Sequence, residues 1–134
     1  MSLGLWPTFD PELKEVKFEA DGAFLLNNCE KLDKLAIAKG LKPISAFGDK
    51  REVPEDFEGD PFDIDEVLGE WDEWFSAKEG LKTVEGLLAV LDSDSKAARK
   101  FKDFEYVVGE LEELARCLRI AAKKRAKWRF ALLQ

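Results

Sequence analysis

Apolar positions along the chain recur with two different periods. From Glu15 to Glu19 the pattern E-V-K-F-E puts Val16 and Phe18 on one side and charges on the other. That alternation predicts a short half-buried strand, closed by Asp21-Gly22. The period then changes. Leu25, Cys29, Leu32 and Ala36 recur at helical spacing, with Leu35 beside them, predicting a helix over about 22–39. Asp21 is placed to cap it, Gly40 to end it and Pro43 to prevent its resumption. Ahead of this, residues 1–13 read as irregular, with Pro7 and Pro11 as punctuation. Residues 40–62 read as a long acidic loop with a short turn near Ile44–Phe47.

A second helical pattern follows. Asp63 and Glu66 have capping-box spacing, and Ile64, Val67, Leu68, Trp71, Trp74 and Phe75 form an apolar stripe over about 64–74. Glu66, Glu70 and Glu73 fall on another face. Ser76 and Glu79 repeat the cap and open a third helix, with Leu81, Val84, Leu88 and Leu91 as its stripe and Leu87 beside them. It ends near Asp92, where D-S-D-S reads as a plain turn. A last long helix begins between Lys96 and Asp103 and runs to about Lys124. Its stripe is Phe104, Val107, Val108, Leu111, Leu114, Ala115, Leu118, Ala121 and Ala122. The terminal K-W-R-F-A-L-L reads as a strand with Trp128, Phe130 and Leu132 on one face, and strands at the two ends can pair. The prediction is a single α+β domain over residues 1–134, helix-dominated, with about four helices and short strands near both ends.

Three passages carry a resemblance: DGAFLLNNCEKLDKLAIAKGLKPISAF at 21–47, WFSAKEGLKTVEGLLAVL at 74–91, and the closing helix-to-strand segment ending WRFALL. The pattern D-G-x-x-L, G-L-x-P-[LI]-S-x-F, W-F-x-x-x-x-G-L-x-T-V is similar to that of a family of small uncharacterised bacterial proteins. The resemblance implies a bacterial origin and one compact domain. It implies no catalytic residue, and it implies that Trp74 and Phe75 sit at a junction just before a helix.

Composition narrows the chemistry. The chain has no histidine, which removes the commonest general base and most zinc and non-haem iron sites. Cys29 and Cys117 are far apart and read as free thiols in a reducing cytoplasm. Cys29 lies on an apolar stripe and is expected to be buried, whereas Cys117 borders its stripe and is expected to be partly exposed. No nucleotide fingerprint occurs. A calcium loop starting at Asp63 is matched by Asp65 but fails at Val67 and Leu68. An irregular cation site from Asp60, Asp63 and Asp65 is a lesser alternative. No cofactor is expected.

Net charge is −7 and unevenly spread. Residues 49–73 hold many acids against only Lys50 and Arg51. Residues 116–129 carry Arg116, Arg119, Lys123, Lys124, Arg125, Lys127 and Arg129 with no acid. Either these regions complement one another within the fold, or the acidic one faces a basic partner. The charge argues against nucleic acid, and no segment is apolar enough to span a membrane. The expected function is non-catalytic protein binding, of immunity or adaptor type, through an acidic surface made by Asp60, Asp63, Glu66, Glu70, Glu73 and Trp74. The alternatives are a carboxylate-based hydrolase, with or without a divalent metal, and a structural homo-oligomer.

Overall fold

The computed structural model describes residues 4–48 and 73–133 of the chain. The predicted segment 64–74 lies outside the described residues as far as residue 72. At 73 and 74 the chain is not helical. Phe75–Ser76 forms a short strand, so the helical placement of Trp74 and Phe75 is corrected, and both sit at a junction before a helix.

Among the described residues three strands make one antiparallel sheet in the order β1-β3-β2. Strand β1 is Gly4–Asp10, β2 is Phe75–Ser76 and β3 is Lys127–Leu133. Gly4 lies opposite Leu133 and Asp10 opposite Lys127. Residues 1–13 are therefore not irregular throughout. The Leu5 N–H points away from β3, to the Gly22 carbonyl at 3.0 Å. Two residues on, Pro7 also turns its nitrogen outward, where a missing N–H costs the ladder nothing. The strand expected at 15–19 does not form. Its alternation is real, for Val16 and Phe18 are buried and Lys17 and Glu19 exposed. However, β1 and β2 take both sides of β3, and this segment stays outside the sheet, with Phe18 edge-on to Trp6.

The helix expected over 22–39 is two: α1, Ala23–Asn27, and α2, Cys29–Ala38. Asn28 interrupts them, its side-chain amide donating to the Phe24 carbonyl and competing with the helical ladder. Gly40 does end α2, at φ 73, with the Leu41 N–H returning to the Ala36 carbonyl. A 3-10 turn at Ile44–Phe47 follows, as expected.

Helix α3 spans Ala77–Ser93, opened by Ser76, whose hydroxyl accepts from the Glu79 N–H at 3.5 Å. Its buried stripe is Ala77, Gly80, Val84, Leu87 and Leu91. Leu87 is wholly buried, whereas Leu88, expected at the stripe's centre, is only half-buried. The D-S-D-S stretch is more than a turn. Asp94 caps a short helix α4, Ser95–Ala98, accepting from the N–H groups of Lys96 and Ala97. Helix α5 spans Phe104–Lys123 and buries Val107, Leu111, Leu114, Leu118 and Ala121. The inner face of the sheet closes the core. Trp128 is fully buried, against Phe47, Phe130 and Gly80 of α3, and a Cβ at Gly80 would lie 2.4 Å from its indole.

Candidate functional site

Of the residues expected to meet a partner, Asp60, Asp63, Glu66 and Glu70 lie outside the described residues, as does Asp65. Glu73 and Trp74 are described, and the structure brings both to β3. Arg129 stands over the Trp74 ring, 4.1 Å from its centroid, and donates to the Glu73 carbonyl at 3.2 Å. The half-buried Trp74 indole thus has an internal cation on one face. The Glu73 side chain is exposed.

The basic C-terminal segment is partly matched from within. Arg119 pairs with Glu85 at 3.5 Å, Arg116 with Glu113, and Lys124 with Glu15. Arg116 also donates to the Lys17 carbonyl. Lys123, Arg125 and Lys127 are exposed.

A different acidic surface is visible on the first half of α5. From Asp103 to Glu113 the sequence holds five carboxylates and no cation. Glu105 and Glu112 are exposed. Tyr106 is 62% exposed and stacks on Phe24 of α1, ring centroids 4.8 Å apart and 11° from parallel. Gly109 lies on the same outer side, and a Cβ there would meet nothing within 4 Å.

The next residue faces the opposite way. Glu110 is buried, and its carboxyl oxygens accept from the N–H groups of Gly22 and Leu25, each at 2.9 Å. It supplies the cap that Asp21 was expected to give. Gly22, at φ 81, is instead the N-cap residue, and no side chain of its own closes the helix. Burial raises the Glu110 pKa above its ordinary value, only partly opposed by these backbone donors. Its signal in the sequence is its position on α5, between Val107 and Leu114 within the buried arc.

Helices α3 and α5 also leave an open groove of about 650 Å³. Leu88, Ala89, Asp92, Phe104, Val108, Glu112 and Arg119 line it.

The two thiols exchange their expected environments. Cys117 is wholly buried and Cys29 only half-buried. Burial pushes both up to about 11, so the nucleophilic thiolate is scarce at neutral pH. Among the described residues no three His, Cys, Asp or Glu side chains gather to hold a metal ion. No helix among them is long and apolar enough to cross a membrane. No family model, curated protein or solved structure matches the chain.

Proposed function

We propose that this chain is a non-catalytic protein-binding domain, of immunity or adaptor type, that presents an acidic surface to a basic protein in the cytoplasm. The observation that carries this reading is the outer side of α5, where Glu105 and Glu112 lie two turns apart on one stripe beside Tyr106, all three exposed, and the sequence holds no cation between Asp103 and Glu113. Carboxylates on such a face attract a basic surface from a distance and raise its association rate. Tyr106 supplies contact area at little entropic cost, because its ring is already held on Phe24. Gly109 leaves the helix backbone bare between them, so a partner's side chain can approach closely. The pairs Arg119–Glu85 and Lys124–Glu15 support the same reading, since they neutralise part of the chain's own basic segment.

The test combines Glu105→Lys, Glu112→Lys and Tyr106→Ala. Losing the stack on Phe24 and the first-turn charge of Glu105 should lower the melting temperature by several degrees, so a circular dichroism spectrum like the parent's is the check that the variant is folded at the temperature of the assay. Capture of a basic protein from the source cell should fall at least tenfold, with a lower association rate and a shallower salt dependence. Undiminished capture by a folded triple variant would refute the reading.

A further inference from the structure

We infer that the groove between α3 and α5 seats one amphipathic helix of the basic partner, with its apolar side down and Lys or Arg along its flanks. This rests on the binding role proposed above and gives the partner a shape. The apolar stripes of both helices are wider than the core requires. Leu87 and Leu91 of α3, with Val107 and Leu111 of α5, fill the interior. Leu88, Phe104 and Val108 are left as a half-buried floor, resting on the core and open above. The floor and the carboxylates around it suit one kind of occupant.

Both walls are helices with their backbone groups bonded internally, so an extended strand would find no ladder to join. Side-chain ridges of a third helix can instead settle between those of α3 and α5, with axes ~8–10 Å apart. At ~1.5 Å per residue the α5 wall runs about 22 Å from Phe104 to Arg119 and the α3 wall about 6 Å from Leu88 to Asp92, so one to two turns of the occupant meet both walls and the rest lies along α5. Apolar residues at i, i+3, i+4 and i+7 would then meet Leu88, Phe104 and Val108. The charges select the flanks. Asp92 and Glu112 are exposed at the groove, while the one cation among its described lining residues, Arg119, already faces Glu85. An occupant with acidic flanks would be repelled and one with basic flanks attracted.

The probe is a designed peptide of about 15 residues with leucines at i, i+3, i+4, i+7 and i+11 and lysines on both flanks. A control of identical composition scatters the leucines around the helix. The patterned peptide should bind at least tenfold more tightly and shift the resonances of Leu88, Ala89 and Val108. Ala89→Trp fills the groove from an exposed position and should weaken binding at least tenfold with an unchanged melt. Asp92→Lys with Glu112→Lys should weaken it similarly and flatten its salt dependence.

Equal binding of both peptides, with shifts at Glu105 and Tyr106 and none in the groove, would overturn the groove while leaving the acidic-face reading standing. Binding of neither peptide would also overturn the groove, and the capture experiment would then decide the acidic face alone. Groove resonances that move on dilution of the protein by itself would assign the groove to a second copy of the chain, and the inference would fall.

Discussion

Helices α3 and α5 meet along an inner seam and diverge along an outer groove, and neighbouring residues end up on opposite sides. Leu87 is sealed in the seam while Leu88 lies on the groove floor. Glu110 is buried beneath α1, while Gly109 faces open space. The glycines draw the same contrast. At Gly80 a Cβ would strike the Trp128 ring and at Gly86 the Leu41 side chain at 2.6 Å, whereas at Gly109 it would touch nothing. At Gly80 and Gly86 a missing side chain is explained by close packing, against β3 and against Leu41. On the outer face of α5 the fold supplies no such reason, and there the sequence is free to serve another molecule.

Denaturant melts of adjacent leucine variants probe this difference most directly. Leu87→Ala should cost about 3–4 kcal/mol, because a wholly buried side chain leaves a cavity. Leu88→Ala should cost about 1–2 kcal/mol, because part of that side chain already meets solvent. Equal losses would erase the distinction between seam and groove. The glycine pair should split in sign. Gly80→Ala forces Trp128 to move and should cost about 2 kcal/mol. Gly109→Ala should gain about 0.5–1 kcal/mol from helix propensity alone.

The smallest effect is expected at Glu110, read as a pH profile. Its folded pKa is raised, so its contribution to stability is full below the ordinary glutamate range and is lost as pH rises through the folded value. Subtracting the stability of Glu110→Gln, which cannot titrate, from that of the parent should give a difference that declines with rising pH above about 4.5. A flat difference would show that the backbone donors cancel the cost of burial.

The periodic signals in the sequence that proved most faithful were those contained in one segment. Helix α5, the Ser76 cap, the Ile44–Phe47 turn and the Gly40 terminus are local, and each formed where expected. Pairing choices were not local. The alternation at Val16 and Phe18 reported burial correctly but could not say that β1 would hold the place beside β3. Pro7 hid β1 because a proline disfavours strands unless its nitrogen faces an edge, a matter of register that the residue itself does not reveal. Leu88 was misplaced by one position because Leu87 and Leu88 both fit a helical stripe. The groove was thus present in the sequence as an excess of apolar residues. The visible acidic surface lies on α5, whereas the sequence drew attention to the denser acids of 49–73. Glu110 was overlooked because its donors are at Gly22 and Leu25, on a distant segment.

The order β1-β3-β2 has a consequence in time. Of the three described strands the central one is synthesised last, so neither edge strand has its partner until Lys127 and the residues after it exist. At about 5–20 residues per second, β1 waits roughly 6–23 s after Asp10 is added before its ladder can begin. The Ser76 and Asp94 caps need no such delay, and helices can form within microseconds of release. The two described edge strands can pair only once their shared partner has been made, and its arrival closes both ladders.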